Sequence, residues 1–287
     1  MPFNAEEFYL KTPMGHEIHV SSFGPAGEEP KGIIVISSAT GVLQKYYAKF
    51  AQFLSHHQYR VYTFDYYGIG NSSSDIRDLK KNDLSIQQWG SNDQASVLKM
   101  AKERSPSTPL TLITHSIGGQ ILGFNPSYHL LDKIVMVSPQ SGYWRYYEGL
   151  HYPKMWLFWN AMIPVLTPLY GYFPAKKLGL FENLPKKMVY EWAKWGRHKE
   201  YMFGHIDTEK AFFDKIECPL LVLGFPRDIY APKAATDWLA GKYENARIDR
   251  RHLIPEEMGI DDVRHFGFFR SKFEDPLWKI TKEWIEN

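Results

Sequence analysis

The chain has 287 residues, enough for one large α/β domain with an insertion or for two modest domains, and its 44% hydrophobic content excludes a disordered protein. Its 34 Lys and Arg residues nearly balance its 32 Asp and Glu residues, so the net charge of +2 gives no reason to expect nucleic acid or an anionic membrane as a partner. Because Cys218 is the single cysteine, a disulfide-stapled secreted scaffold is excluded.

The N-terminal residues include acids at positions where a signal peptide has a basic flank and an apolar core. The chain has no run of about 18 uninterrupted apolar residues, which a membrane-spanning helix would need. We therefore expect a cytoplasmic protein without a stable membrane anchor. The sequence leaves its oligomeric state open.

Strands and helices alternate along most of the chain. Segments 7–12 and 17–22 flank a turn that contains Gly15, and they predict a β-hairpin. The run 32–38 is continuously apolar, which is typical of a strand covered on both faces. Further strands are predicted at 60–65, 110–114, 133–138 and 220–224, and helices at 44–57, 86–101, 234–243 and 277–286. This alternation predicts a doubly wound, mainly parallel sheet.

Residues 142–211 interrupt the alternation. They hold five of the nine tryptophans and five prolines, and they contain no good strand pattern. We predict a helical insertion that packs over a core formed by residues 1–141 and 212–287. A segment lying on a membrane is the alternative, but Asn160, Pro164 and Pro168 interrupt its apolar stretch and it lacks a basic polar face.

A serine stands directly after a predicted buried strand, in the sequence T-H-S-I-G-G at residues 114–119. A strand, a tight turn with small residues and a helix form a nucleophile elbow, which presents a serine hydroxyl above the sheet. The backbone N–H of Ile117 would then face a developing oxyanion. Thr114 departs from the usual G-x-S-x-G pattern, and a chance S-x-G in a loop is the alternative interpretation of Ser116.

A serine nucleophile needs a base that is itself held by a third group. In this type of fold the acid follows the serine along the chain, and Asp228 lies in the loop after the predicted strand 220–224. Asp228 could instead pair with Arg227 or cap a turn. The loop 139–141 has no carboxylate, which removes the other common position of the acid.

The best candidate base is His265, which precedes Phe266 and Gly267 in a loop that leads into the last predicted helix. His115 adjoins the serine, but adjacent side chains at a tight turn point apart, so it is a poor base. The chain order Ser116, Asp228, His265 therefore favours a catalytic triad.

Four motifs together resemble the α/β-hydrolase superfamily, and within it the lid-bearing serine hydrolases near the monoacylglycerol-lipase-like group. They are A-T-G-V at 39–42, D-Y-Y-G-I-G-N-S at 65–72, the serine elbow and H-F-G at 265–267. The resemblance covers nearly the whole chain. It implies the α/β-hydrolase fold, with a mostly parallel eight-stranded sheet, helices on both faces and a helical lid at residues 142–211.

The resemblance also implies an oxyanion hole formed by the backbone N–H groups of Ile117 and Thr40, with Gly41 as the alternative second donor. The family's His-Gly dipeptide is replaced here by Ala39-Thr40. Tyr67 replaces the arginine of the family's Asp-x-Arg-Gly turn, which questions the packing of that loop more than the activity.

Predicted substrate contacts lie near the elbow and at the start of the insertion. They are Gly41, His115, Tyr143, Trp144 and Trp159. The aromatic side chains favour an apolar acyl or aromatic substrate, because they remove it from water. The alternative is that they only pack the insertion against the core.

The expected activity is hydrolysis of a small-to-medium carboxylic ester through an acyl-enzyme on Ser116. Thioester or amide hydrolysis, acyl transfer and a catalytically silent binding protein are alternatives, since a triad does not distinguish them. No metal or nucleotide cofactor is expected, because the chain lacks an H-E-x-x-H helix, a cysteine pair and a phosphate-cradling glycine motif.

Overall fold

The main sheet has eight strands in a computed structural model that describes residues 5–25, 29–73 and 75–287. The strands of the chain are β1 (Glu6–Lys11), β2 (Glu17–Phe23), β3 (Gly32–Ser37), β4 (Tyr59–Phe64), β5 (Leu110–His115), β6 (Lys133–Val137), β7 (Tyr172–Phe173), β8 (Leu184–Pro185), β9 (Pro219–Gly224) and β10 (Arg247–His252). The main sheet has the order β1-β2-β4-β3-β5-β6-β9-β10. The pairs β1–β2 and β2–β4 are antiparallel and the others parallel, so the predicted mostly parallel, eight-stranded sheet is confirmed.

Helices connect most of these strands. The α-helices are α1 (Ala48–His56), α2 (Ile76–Lys81), α3 (Ile86–Gln88), α4 (Ala95–Arg104), α5 (Ile117–Ile121), α6 (His151–Leu157), α7 (Ile163–Tyr170), α8 (Lys186–Arg197), α9 (Lys233–Ala240), α10 (Arg264–Gly267) and α11 (Lys279–Glu286). Wider π-helical stretches cover Trp89–Gln94, Phe158–Met162 and Glu274–Trp278. Short 3-10 turns link the remaining segments, and one of them, Gln44–Tyr47, forms the start of the predicted helix 44–57.

Alternate residues of the central strands divide the core into two clusters. In β3, Ile33 and Val35 belong to one cluster, and Ile34 and Ile36 belong to the other, because successive side chains of a strand point to opposite faces. Helices α4, α5 and α9 contribute to the first cluster, and α1 and α11 contribute to the second. Helices therefore cover both faces of the sheet, as predicted.

The predicted helix 86–101 contains a π-helical stretch between α3 and α4. Asp93 lies in this stretch and is fully buried. Its carboxylate accepts hydrogen bonds from the ring of His16, at 2.7 Å, and from the backbone N–H of Tyr67, at 2.8 Å. The wider turn thus coincides with a buried polar junction, which hydrophobic periodicity alone does not predict.

Residues 142–211 share the first core cluster with the sheet. Trp159, Ile163 and Trp195 of this segment are buried in the same cluster as Leu122 and Phe124, which follow α5. The prediction of no strand here is wrong, since β7 and β8 pair as an antiparallel ribbon. Each of these strands has two residues, too few to show an alternating pattern.

Among the helices of the described ranges, none is both long enough and apolar enough to cross a bilayer.

Candidate active site

Ser116 lies between β5 and the short helix α5, at the carboxyl end of the sheet. Its backbone has φ 54° and ψ −113°, a conformation that residues other than glycine rarely adopt. Its N–H donates to the carbonyl of Val137 on β6, at 3.0 Å, and its carbonyl accepts from the N–H of Gly119, at 3.1 Å. These contacts hold a strand–turn–helix geometry, which is that of a nucleophile elbow.

Two glycines make room for this turn. A Cβ at Gly118 would lie 2.8 Å from the carbonyl oxygen of Ser37 on β3. A Cβ at Gly119 would lie 3.1 Å from Oγ1 of Thr114. Thr114 stands where the usual pattern has glycine, and it fits here because the residue that faces it has no side chain.

Asp228 and His265 come together from the loop after β9 and from α10. The Nδ1 atom of His265 lies 3.0 Å from each carboxylate oxygen of Asp228, and each residue is only 4% exposed. Oδ1 of Asp228 also accepts from the backbone N–H groups of Tyr230 and Ala231. Because the carboxylate accepts the proton on Nδ1, the Nε2 atom of His265 remains available as a base.

The charge state of Asp228 follows from its surroundings. Burial alone would raise its pKa, but the charge and the hydrogen bond of His265 outweigh burial and hold the pKa of Asp228 below its usual value. Arg227, the alternative partner of Asp228, instead forms ion pairs with Glu256 at 2.6 Å and Asp262 at 3.0 Å. Asp228 is therefore an anion at neutral pH, and its carboxylate accepts the hydrogen bond from Nδ1 of His265.

Backbone strain is concentrated at the candidate triad. Six non-glycine residues of the described chain have positive φ, and three of them are Ser116, Arg227 and Arg264. The last two directly precede Asp228 and His265. Such conformations persist only where surrounding contacts enforce them, and they are enriched at functional sites.

The hydroxyl of Ser116 contacts Gln140, which lies in the loop after β6. Nε2 of Gln140 is 3.0 Å from Oγ of Ser116, and its Oε1 is 3.3 Å away. Among the described residues, no hydrogen bond joins Ser116 to His265. The candidate base His265 is thus hydrogen-bonded to the candidate acid Asp228, whereas the hydroxyl of Ser116 is hydrogen-bonded to the side-chain amide of Gln140.

The loop after β3 presents unpaired backbone donors. Within the described ranges, the N–H groups of Thr40, Gly41 and Ile117 have no acceptor. Gly41 has a φ of +63°, and its carbonyl accepts from the N–H of Glu182, at 3.1 Å. Free N–H groups on this loop and at the start of α5 are what an oxyanion hole requires.

Asp65, directly after β4, supports this loop. Its carboxylate accepts hydrogen bonds from the backbone N–H groups of Gln44, at 2.7 Å, and Asn71, at 3.0 Å. Burial raises the pKa of Asp65, although both donors favour the ionised form. A Cβ at Gly70 would lie 2.4 Å from the same carboxylate, so the D-Y-Y-G-I-G-N-S motif has a structural role here.

Two of the predicted substrate contacts lie in the interior instead. His115 is 0% exposed, and its ring nitrogens contact the hydroxyl of Tyr47 and the carbonyl of His265. Trp159 is buried, and its Nε1–H donates to the carbonyl of Gly142. Both side chains thus have partners in the interior, and their contact with substrate stays a prediction.

Tyr143 and Trp144 are half-buried at the start of residues 142–211. The N–H of Tyr143 donates to Oγ of Ser141 at 3.2 Å, and the ring of Trp144 packs 4.8 Å from that of Tyr152. In the described part of the chain, neither has a hydrogen bond or ring contact with a member of the candidate triad. Their contact with substrate stays a prediction.

Acidic and histidine side chains elsewhere do not gather into a metal site. Over residues 5–25, 29–73 and 75–287, no group of three or more His, Cys, Asp or Glu residues could hold a metal ion. A second close histidine–carboxylate pair, His16 with Asp93, belongs to the polar junction of the π-helical stretch.

Two contacts of the site were not predicted from the sequence. Gln140 contacts the serine hydroxyl, and the hydroxyl of Tyr47 contacts both His115 and the N–H of Ala39, in the loop after β3 (residues 38–43, the candidate oxyanion loop). Gln140 follows a parallel strand at its carboxyl end, where functional side chains collect, and that position is the signal for it. Tyr47 shares the apolar spacing of its helix, so the sequence assigns it to the core.

The fold has many counterparts among solved structures. The carboxyl esterase from Bacillus coagulans in complex with glycerol matches at 12% identity over 98% of each chain, with a TM-score of 0.68. Est1E from Butyrivibrio proteoclasticus with ferulic acid bound matches at 17% identity over 97% of each chain, with a TM-score of 0.64. An α/β serine hydrolase without a lid from Xanthomonas campestris matches at 13% identity over 99% of this chain and 96% of that one, with a TM-score of 0.55.

Comparison of the amino-acid sequence gives far fewer matches than comparison of the structure. No curated protein sequence matches the chain. The model of the family described as serine aminopeptidase, S33, matches residues 28–187, which is more than half of the chain and includes the serine elbow. The protein therefore belongs to this serine aminopeptidase S33 family and has the α/β-hydrolase fold.

Proposed function

We propose that the protein is a serine hydrolase that cleaves a carboxylic ester through an acyl-enzyme on Ser116. The observation that carries this proposal is the buried Asp228–His265 pair, whose ring nitrogen lies 3.0 Å from both carboxylate oxygens, on the same sheet edge as the strained Ser116. The name of one structural counterpart, the carboxyl esterase from Bacillus coagulans, supports an ester substrate.

The first step needs Ser116 to exchange its hydrogen bond with Gln140 for one with His265. Oγ of Ser116 then attacks the ester carbonyl while Nε2 of His265 takes the hydroxyl proton. Asp228 keeps the imidazole in the tautomer that can accept this proton and stabilises the resulting imidazolium. The imidazolium returns the proton to the departing alkoxide, which leaves as an alcohol.

The second step regenerates the enzyme. His265 takes a proton from water, whose oxygen attacks the acyl carbonyl, and Ser116 leaves with the proton that His265 returns. In both steps a negative charge develops on the carbonyl oxygen, and the N–H groups of Ile117 and Thr40 stabilise it. A single donor of this kind contributes about 3 kcal/mol to catalysis. Gly41 is the alternative second donor.

An apolar acyl or aromatic group fits the surroundings of the oxyanion loop. A Cβ at Gly41 would lie 2.9 Å from the ring of Phe181, so this aromatic side chain packs on the loop. Phe181 continues into an aromatic cluster through Phe173 and Trp192, at ring distances of 6.3 and 6.2 Å. We therefore assign residues 142–211 the role of a lid that desolvates the substrate.

A catalytically silent binding protein is the second candidate. The contact between Ser116 and Gln140 favours it, because a serine held by an amide has no base. In this case Asp228 and His265 would only stabilise the loop that they join.

Mass spectrometry after incubation with a fluorophosphonate separates the two candidates. The samples are wild type, Ser116→Ala, His265→Ala and the control Ser96→Ala, which removes a hydroxyl that is buried without a partner on α4. Wild type and the control should gain one adduct, Ser116→Ala none, and His265→Ala should react about 10³-fold more slowly.

Absence of an adduct on folded wild type would reject the hydrolase and favour the silent protein. If wild type reacts, p-nitrophenyl ester, thioester and anilide panels identify the acyl bond, and an added alcohol or thiol acceptor tests acyl transfer. Preference for the anilide over the ester would contradict the proposed ester substrate.

A further inference from the structure

A series of buried hydrogen bonds connects the loop after β3, the end of strand β5 and helix α10. The backbone N–H of Ala39 lies 2.9 Å from the hydroxyl oxygen of Tyr47, and that oxygen lies 2.9 Å from Nδ1 of His115. Nε2 of His115 lies 2.9 Å from the backbone carbonyl of His265. The series begins one residue before Thr40, passes through the residue before Ser116 and ends on the candidate base.

Each hydrogen bond in this series has only one possible direction. The amide of Ala39 can only donate, so the hydroxyl oxygen of Tyr47 accepts from it. The carbonyl of His265 can only accept, so Nε2 of His115 carries a proton. Nδ1 of the neutral ring is then bare, and it accepts the hydroxyl proton of Tyr47.

The surroundings keep both side chains neutral. Tyr47 and His115 are each 0% exposed. Burial, with a smaller contribution from the charge of His265, lowers the pKa of His115 to about 3. Burial also raises the pKa of Tyr47 well above its usual value. The donor and the acceptor of each of these hydrogen bonds are therefore the same throughout the ordinary pH range.

We infer that Tyr47 and His115 are positioning residues, which hold the loop after β3 and helix α10 in register with Ser116. This inference rests on the function proposed above. His115 is the last residue of β5, so the loop after β3 and helix α10 are both tied to the strand that leads into Ser116. The series acts on the reaction only through the placement of the Thr40 N–H and of the His265 ring.

Fixed placement matters because the reacting groups act together only over a narrow range of distances. A displacement of about 1 Å can lower the rate of an enzymatic step about 10²-fold. The oxyanion donors and the base act mainly in the transition state, so their displacement should lower kcat and leave KM nearly unchanged.

The test compares Tyr47→Phe with the matched control Tyr201→Phe. Tyr201 is also fully buried, and its hydroxyl also accepts one hydrogen bond, from Trp192, and donates one, to Gln120, both at 2.8 Å. The two variants lose the same kinds of interaction, but only Tyr47 contacts the oxyanion loop and His115. Hydrolysis of p-nitrophenyl butyrate is measured below the unfolding temperature of each variant.

We expect Tyr47→Phe to lower kcat about 10-fold or more, with KM within about 3-fold of wild type, and Tyr201→Phe, in the proposed lid, to lower kcat at most about 3-fold. His115→Ala should lose about 10²-fold in kcat, and His115→Gln should recover part of this loss because its amide can still donate to the carbonyl of His265. Equal kcat for the two tyrosine variants would overturn the inference.

Nitrogen NMR of histidine-labelled wild type provides a readout that does not depend on catalysis. The inference requires a neutral His115 ring with its proton on Nε2 down to about pH 4. A proton on Nδ1 would overturn the inference even in an active enzyme. If Ser116 does not react with the fluorophosphonate while the Nε2 proton is present, the proposed function has failed and the catalytic role of the series fails with it, although the hydrogen bonds themselves exist.

Discussion

The loops at the carboxyl end of the sheet and residues 142–211 are held together by different forces. The loops depend on buried polar contacts. Examples are the two backbone N–H groups that donate to Asp65 and the hydrogen bond between Asp228 and His265. Residues 142–211 depend on aromatic packing, in which the ring centroids of Trp159 and Trp192 lie 4.9 Å apart. The candidate triad is almost completely buried, whereas Leu150 and Leu169 of residues 142–211 are more than 70% exposed.

This difference has a consequence for how each region tolerates change. A hydrogen bond has a direction and a length, so a polar loop keeps its geometry only with the right donor and acceptor at each position. Apolar packing has no direction and tolerates substitutions that keep the volume. The following four predictions test whether the two regions differ in this way.

The largest expected effect distinguishes the buried carboxylate of Asp228 from the half-buried carboxylate of Glu191. Asp228→Asn should lower kcat about 10⁴-fold, because the amide no longer keeps His265 in the tautomer that accepts a proton. Glu191→Gln, on α8 of the insertion, should keep kcat. Ester hydrolysis measures both variants, and thermal unfolding shows that each is folded. Comparable activity losses in the two variants would remove the distinction between the regions.

The next effect compares glycines in close contact. A Cβ at Gly90 would lie 2.1 Å from the carbonyl oxygen of Ile121, which is backbone, while a Cβ at Gly196 would lie 2.4 Å from the ring of Trp159. We expect Gly90→Ala to lower the free energy of unfolding by about 3 kcal/mol or more, and Gly196→Ala by about 1–2 kcal/mol because a side chain shifts more easily than backbone. Urea denaturation measures both. A larger loss at Gly196 would show that residues 142–211 are packed as rigidly as the π-helical stretch that contains Gly90.

A smaller effect is the pH dependence of the contact between the insertion and α3. Glu191 accepts hydrogen bonds from the N–H of Ile86, at 2.6 Å, and from the side chain of Gln87, at 2.5 Å. Burial raises the pKa of Glu191 above its ordinary value of 4.5, although these donors oppose the shift. The folded state therefore binds this proton more tightly than the unfolded state.

The protonated carboxyl of Glu191 therefore stabilises the folded state. This stabilisation is complete below about pH 4 and is lost as the pH rises through the raised pKa that Glu191 has in the folded state. The free energy of unfolding of wild type, measured relative to Glu191→Gln by urea denaturation, should fall over this range. Gln87→Ala keeps the carboxylate and should keep the pH dependence. A constant difference between wild type and Glu191→Gln would contradict the prediction.

The smallest effect concerns the exposed face of the insertion. Leu169 is 73% exposed, so Leu169→Ser should change the free energy of unfolding by no more than about 0.5 kcal/mol. Leu184, which is fully buried in β8, is the control, and Leu184→Ala should cost about 2–5 kcal/mol. A large loss in Leu169→Ser would mean that this face is covered in solution.

The sheet was predictable because its central strands are continuous apolar runs, as in β3 and β9. Asp228 and His265 were predictable for a similar reason, since parallel strands end at one edge and the chain order of a triad is restricted. The ribbon of β7 and β8 was not predictable, because two residues have no measurable period.

Contacts between side chains that are far apart along the sequence could not be predicted either. The predicted substrate contact His115 is buried, and its two ring nitrogens contact the hydroxyl of Tyr47 and the carbonyl of His265. Gln140 has no chemical signature of its own, and only the three-dimensional structure places its amide on Ser116. The pattern along the chain thus identifies candidate reacting groups better than the residues that position them.

The left-handed backbone of Ser116 has a consequence for mutational drift. Its φ of 54° is a conformation that costs a serine about 1–3 kcal/mol and costs glycine little. A single change to glycine would therefore remove the hydroxyl and relax the turn. A descendant of this chain under no selection for activity would therefore gain folding stability from Ser116→Gly, so the strain at this turn opposes retention of the hydroxyl.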